Sequence, residues 1–360
     1  MVVPRGLLGG DESEDDDDRV EDTDREEEDG EGRSIVMRMA QTSSLAGVLQ
    51  AMRASVSQKS NKQSAICTVA LSSEGMHVQW EDETKNIQSQ VMVRKDSFVD
   101  IRASRSSTSR LVFGVSLNQF ADTLSLFASS PSSQSPPASL GFVEVTLRYP
   151  NHENQLEIEM CENNTAPIEA APHPREVHTY AKLSTVETPN ISDWLEHWQD
   201  PESSFHVSSS LLREAIEDLE WPGGCITLCI AKEPPQVYLS STGQGSLSIR
   251  LPESEVTGLQ CPSDHVEHSY NHKQLKVALT SVSNSSDESC SILTKVSISS
   301  QGILKVMHMV NSLQQVQPQT GVTLHGSAGY FESQSRNITR TGIVQYVILP
   351  VDTSLQGLQA

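Results

Sequence analysis

Apolar and polar side chains alternate along most of this chain, and in only a few places does the apolar spacing lengthen to the three- and four-residue steps of a helix. The stretch Ser204–Leu251 shows both patterns in succession. A short extended piece, Phe205–Val207, runs into Ser208, Ser209 and Ser210, residues suited to capping a helix start. Leu211, Leu212, Ala215, Ile216 and Leu219 then recur at helical spacing, with Arg213, Glu214, Glu217 and Asp218 off the stripe. Trp221-Pro222-Gly223-Gly224 ends the helix, because proline cannot continue it and glycine tolerates the left-handed turn. Cys225–Ile230, Gln236–Ser240 and Ser246–Leu251 read as strands, the last two joined by a turn around Gly243 and Gly245.

The same order occurs earlier. Ser34–Ala40 is extended, Leu45, Val48, Leu49 and Met52 form a helical stripe, and Ile66–Leu71 and Met76–Glu81 form a hairpin around Ser72-Ser73-Glu74-Gly75. A similar hairpin turn, Ile298–Ile303, lies late in the chain. Strands are predicted at Ile87–Arg94, Phe98–Ala103, Arg110–Val115, Leu140–Tyr149, Gln155–Cys161 and Val177–Leu183, with a helix over Leu117–Ala128. In the second half they are predicted at His265–Tyr270, Gln274–Leu279, Ile292–Ser299, Ile303–Val310 and Thr341–Pro350. The polar stretch Thr280–Ser289 occupies the place of the first half's second helix. Helices with a single apolar stripe must lie on one face of a sheet, so the fold class is α+β, with two helices backed by antiparallel sheet in each half.

This organisation predicts an acidic tail at 1–33, a first domain at 34–183, a connecting loop at 184–203, a second domain at 204–352 and a short tail at 353–360. The connecting loop has few strand or helix signals yet holds Ile191, Trp194, Leu195 and Trp198, more large apolar groups than a mere spacer needs. Ser129–Ser139 and Asn311–Arg336 read as insertions.

Of the net charge of −21, residues 1–33 carry −11, from 15 acids and 4 arginines. A segment so charged and so poor in apolar residues is expected to be disordered, and Ser13 before Glu14, Asp15 and Asp16 suits an acid-directed kinase. No apolar run is long enough for a membrane helix, and the first residues lack the apolar core of a secretory leader. The sequons at Asn163, Asn190, Asn284 and Asn337 are therefore read as chance, and the six scattered cysteines as reduced thiols.

Candidate chemistry is sparse. There is no GxxxxGK[ST] phosphate loop. Cys225 and Cys229 share a strand face, with no second pair at zinc spacing, and read as core residues. His265, His268 and His272 fall in a strand-like segment where only His268 and His272 share parity, too far apart for a ligand set. The acids outside the tail form no Asp-x-Glu pair at a strand end, so a metal-dependent nuclease has little support. No cofactor or metal site is expected. Arg53, Lys59, Lys62, Arg213, Lys273 and Lys276 are candidate phosphate contacts, weighed against ordinary solvent-exposed charge.

The duplicated module resembles the sliding DNA clamps of the proliferating cell nuclear antigen superfamily and, within it, the Rad-one subunits of the heterotrimeric nine-one-one checkpoint clamp. The resemblance is carried by Ser34–Met52, Ile66–Asp82, Leu117–Phe127, Leu211–Leu219, Val237–Gly243, Thr294–Gly302 and Tyr346–Pro350, spread over most of 34–352. It implies a non-catalytic subunit of a heterotrimer that encircles double-stranded DNA in the nucleus. Helices would line the hole, and an ATP-driven clamp loader would place the ring at damaged sites, where it recruits checkpoint and repair proteins. In such clamps partner peptides dock beneath the connecting loop. The matching positions here are Ile191, Trp194, Leu195, Trp198, Tyr346, Val347 and Leu349, which can equally be a core that anchors the loop. Thr280–Ser289 departs from the pattern, lacking the basic character of a lumen helix. A homotrimeric replication clamp and a 3′–5′ exonuclease remain open as other readings.

Overall fold

The computed structural model describes residues 34–40, 42–53, 65–104, 110–128, 142–163, 176–192, 194–220, 224–280, 293–314 and 337–351. The acidic tail, Ser129–Ser139, Lys59, Lys62, Trp221–Gly223, Cys290, positions 281–289 and 315–336 and the stretch 353–360 lie outside the described residues.

The first half runs β1 (Ile35–Met39), α1 (Thr42–Arg53), β2 (Ile66–Ser72), β3 (Gly75–Glu81), β4 (Ile87–Arg94), β5 (Asp100–Ala103), β6 (Leu111–Ser116) and α2 (Leu117–Ala128). It ends with β7 (Phe142–Tyr149), β8 (Leu156–Asn163) and β9 (Glu176–Leu183). The second half repeats that order as β10 (Ser203–Ser208), α3 (Ser209–Asp218), β11 (Cys225–Ala231), β12 (Gln236–Thr242), β13 (Ser246–Arg250), β14 (Thr257–Gln260), β15 (His265–Asn271) and α4 (His272–Thr280). It closes with β16 (Leu293–Ile298), β17 (Leu304–Gln314) and β18 (Asn337–Ile348).

Strand pairing repeats as faithfully as element order. The first half orders its strands β5-β1-β7-β8-β9 and β4-β3-β2-β6; the second orders them β14-β10-β16-β17-β18 and β13-β12-β11-β15. The halves join where β18 pairs antiparallel with β4, from Gly342–Val93 to Ile348–Ile87, fusing two of these sheets into one of nine strands. Every registered strand pair is antiparallel, which matches the α+β expectation.

Local sequence explains most elements. Leu45, Val48, Leu49 and Met52 bury one stripe of α1, and Leu117, Phe120, Ala121 and Leu124 one stripe of α2. The turn between β2 and β3 needs Gly75, whose φ of +130° would bring an added Cβ to 2.1 Å from the Val93 carbonyl oxygen. Parity then sets the layering. Val344, Tyr346 and Ile348 of β18 and Ile87, Val91 and Val93 of β4 join the core that contains α1 and α4. Val347 and Leu349 belong to a separate cluster on the opposite side of the sheet. Helices therefore cover one face of the central sheet and leave the other to the connecting loop.

The segment Gln274–Leu279, expected to be a strand, is α4. His272, Leu275, Ala278 and Leu279 are buried and Lys273 is exposed, a helical pattern. His272 accordingly leaves the strand on which His265 and His268 lie, and its ring nitrogen Nε2 sits 3.1 Å from the Ile216 carbonyl. Helix α4 thus stands in the place of the first half's second helix and ends at Thr280; positions 281–289 of the polar stretch lie outside the described residues. Strand β14 was not anticipated, β17 extends into the start of the predicted Asn311–Arg336 insertion, and β18 begins directly after its end, at Asn337.

A buried polar chain ties the helices of the second half to its sheet. The Nε2–H of His308 on β17 donates to the Ala278 carbonyl of α4 at 2.8 Å, so Nδ1 is the acceptor for the Thr294 hydroxyl at 2.9 Å. Ser209 at the start of α3 hydrogen-bonds Thr294 in turn. Burial pushes the His308 pKa from 6.5 down to about 4, outweighing its backbone hydrogen bond. A depressed folded-state pKa means that the unfolded chain takes up the proton first as pH falls. Stability from this site is therefore present above pH 6.5 and lost between 6.5 and about 4. We expect urea midpoints to fall with acidification, this site contributing roughly 3 kcal/mol of the loss. His308→Gln should have a visibly flatter dependence over that window. Equal slopes in the two proteins would contradict the assignment.

Candidate functional site

Two surfaces carry the candidate residues. On the helix face, α1 and α2 pack side by side, with Gln50 Nε2 donating to Ser125 Oγ at 2.7 Å. Arg53, in the last turn of α1, is paired with Asp122 of α2. Arg213 lies half-buried on α3 among the exposed Glu214, Glu217 and Asp218. Lys276 of α4 meets Glu220 at 2.9 Å; the hydrogen bond holds the carboxyl below its usual range and raises the lysine. Lys273 is exposed on α4. The four helices with Glu220 thus present Arg53, Arg213, Lys273 and Lys276 against five carboxylates, and two of the four cations are already paired.

The opposite face is organised by the connecting loop. It starts at the edge of β6, where Gly114 and Val186 exchange two backbone hydrogen bonds of 2.9 Å. A side chain at Gly114 would meet the Glu187 carbonyl oxygen at 2.8 Å, so only glycine admits the loop there. It then crosses the sheet. Glu81 of β3 accepts from Trp194 Nε1 at 3.1 Å and from Gln88 Nε2 at 2.8 Å, while Gln88 also donates to the Ser192 carbonyl. Trp194, 7% exposed, packs with Ile303, Val347 and Leu349, and Leu195 and Trp198 close over them. Lys305 Nζ stands 3.8 Å from the centre of the Trp198 ring, a cation–π contact worth about 1 kcal/mol. At the far end Glu202 takes Lys295 at 2.8 Å and Lys305 at 3.7 Å. Burial works to raise the Glu202 pKa, and the two lysines outweigh it and hold it low.

The structure therefore brings together Trp194, Leu195, Trp198, Val347 and Leu349, and adds Ile303, which the sequence reading missed. Ile191 is half-buried nearby in the chain but outside that cluster. Tyr346 is elsewhere: fully buried, it points to the helix side and meets His308 edge-on at 6.1 Å. Strand parity was the available signal, since Tyr346 and Val347 cannot face the same way. Among the described residues no group of three or more His, Cys, Asp or Glu is placed to hold a metal ion. One cross-strand cluster also escaped the sequence reading. His178 lies 3.1 Å from Glu159 and 3.8 Å from Cys161 Sγ, and the Tyr180 hydroxyl donates to Glu159, all on the exposed outer sides of β8 and β9.

A duplicated helix-backed sheet, joined strand to strand, with all four helices on one side and a loop strapped across the other, is the architecture of a sliding clamp. The solved PCNA from Thermococcus kodakaraensis shares it, with a TM-score of 0.58 over 88% of this chain and 99% of that one, at 13% identity. The profile of the repair protein Rad1/Rec1/Rad17 family matches residues 35–310, and the chain belongs to that family. No curated protein sequence matches it.

Because Trp194 fills the space between the loop and β18, its removal should free the loop before it unfolds the core. Trp194→Ala deletes a large buried side chain, a change that costs about 3–5 kcal/mol in a closed core. We expect protease cleavage within 184–202 to accelerate about tenfold or more while the global unfolding midpoint moves little. Unchanged cleavage would mean that the indole does not anchor the loop.

Proposed function

We propose that this chain is a non-catalytic subunit of a heterotrimeric DNA checkpoint clamp, acting in the nucleus at damage sites as a platform for checkpoint and repair proteins. The observation that carries this reading is the join between the halves. In the repeat, β9 is the counterpart of β18, and β13 the counterpart of β4. Since β18 and β4 pair, the same ladder repeated between chains would join the free edge of β9 to a β13-like edge of a neighbour. The exposed Val177 and Tyr180 of β9 and Leu247 of β13 are where such ladders would form. Repetition with a fixed rotation closes a ring, and helices confined to one face of the sheet then line its hole.

Inside such a ring DNA is held by enclosure. The weak charge of the helix face suits that: four cations against five carboxylates cannot supply the dense phosphate contacts of a tight non-specific binder. Arg53, Arg213, Lys273 and Lys276, together with Lys59 and Lys62 on the segment after α1, would serve as light contacts that permit sliding. The surface beneath the connecting loop would take partner peptides only after Trp194 is displaced, because Val347, Leu349 and Ile303 are covered by it.

Two other chains are part of this reading. We expect native mass measurement to find equimolar complexes with two other clamp-like chains. Introducing like charges at both edges (V177E and Y180E on β9, L247E on β13) should weaken assembly about tenfold or more while the isolated chain keeps its melting temperature. A self-assembled trimer, or assembly indifferent to these changes, would refute the proposal.

A further inference from the structure

On the face that carries the connecting loop, the loop covers only one end of the strands. Three rows of outward-facing side chains run across the sheet, set by the strand register. Glu81, Gln88, Val347 and Lys305 form the row under the loop. Gln79, Gln90, Gln345 and Met307 form the next. The third holds Val112 on β6, Ala70 on β2, His77 on β3, then Met92, Ile343 and Met309 on β4, β18 and β17. Leu293 of β16 stands beside Met309, one step past the registered pair Thr294–His308.

This third row is exposed at Val112 and at Met92, Met309 and Leu293, with Ile343 half-buried between the methionines and Ala70 buried on β2. Met92 is 52% accessible, Leu293 51%, Val112 47% and Met309 42%. At the spacing of neighbouring strands it runs about 29 Å across seven of them. Its unbroken apolar part, Met92, Ile343, Met309 and Leu293 on four adjacent strands, spans about 14 Å. Exposed apolar surface of this kind marks an interaction site, and methionine is the side chain that adapts best to varied partners.

Charge narrows the partner. Arg110 and Arg94 lie on the same face one row further out, Arg94 sharing its charge with Asp96 at 3.5 Å. Arg110 approaches the His77 ring at 3.3 Å, and burial and then this arginine depress the histidine's pKa, so His77 is neutral at pH 7 and adds no charge of its own. Among the described outward positions of the seven strands Glu81 is the single carboxylate, and it is engaged by the loop. Among the described outward positions of these strands the stripe thus has a cationic border and no unengaged carboxylate. We infer that the uncovered end of this sheet face docks an acidic segment of a partner protein that carries apolar anchors, its carboxylates meeting Arg94 and Arg110 and its anchors spread over Met92, Ile343, Met309 and Leu293. This surface is distinct from the one beneath the loop and does not depend on ring assembly.

The test uses the full chain labelled at its methionine methyl groups, with signals assigned by Met→Leu replacement. Two synthetic peptides of about 16 residues carry the same leucine and phenylalanine positions, filled in otherwise with glutamate in one and lysine in the other. The glutamate peptide should move the Met92 and Met309 signals saturably. The pair M92E and M309E should weaken it about tenfold. The pair R94E and R110E should weaken it roughly fivefold with the melting temperature unchanged. Equal binding of both peptides, no response at Met92 and Met309, a response to chain concentration alone (a second copy as occupant) or a response to a short DNA duplex instead would each overturn the assignment.

Discussion

The ladder between β18 and β4 is the contact on which the rest of the molecule depends. Seven residue pairs, Gly342–Val93 through Ile348–Ile87, convert two independent sheets into one surface of nine strands. Both strands are buried on the helix side, where Val344, Tyr346 and Ile348 stand against Val91, Ser89 and Ile87. Helix α1 of the first half and α4 of the second both pack on β18, so the ladder fixes the two helix pairs to the same side. The outer side of the same strands, through Gln88 and Val347, is the bed on which the connecting loop lies. One backbone pairing thereby sets the helix face, the loop face and the direction in which a neighbour could be added.

The loop's seating gives the outer face two unlike regions. One end is sealed by Trp194 and by the hydrogen bonds to Glu81, the other is open, apolar and bordered by arginine. A loop that contributes its own indole to a hydrophobic cluster is anchored by burial, and the polar contacts to Glu81 and Glu202 orient it. The helix face is the reverse case, where paired charges leave little net field.

Much of this was legible in the sequence, and the exceptions have physical causes. The duplication was readable because Leu45–Met52 and Leu211–Leu219 are unambiguous helical stripes, each followed by hairpins with clear turn residues. Helix α4 was hidden by a coincidence of periods. Leu275, Val277 and Leu279 alternate as a strand would, while the burial that matters is that of Leu275, Ala278 and Leu279. The available signal was Asn271, the residue before α4, whose side-chain oxygen accepts from the Lys273 amide at 2.9 Å and so caps the helix. Strand β14, TGLQ, is four residues long and contains glycine, below the length at which alternation can be read. Tyr346 was grouped with Val347 by sequence adjacency, although a strand sends neighbours to opposite faces. Ile303 belongs to the loop cluster only because the pairing of β17 with β18, Leu304 against Ile348, carries the residue before β17 toward Leu349, a non-local fact that local spacing does not contain.

The central claim is that β9 and β13 are unfinished copies of the β18–β4 pairing. Hydrogen exchange followed strand by strand, in the isolated chain and in its assembled complex, addresses it directly. The account expects amides of β4 and β18 to be slow in both states, and those of β9 and β13 to slow about a hundredfold on assembly. Edges that stay fast in the complex, or a β18–β4 ladder that opens to let the complex form, would contradict it.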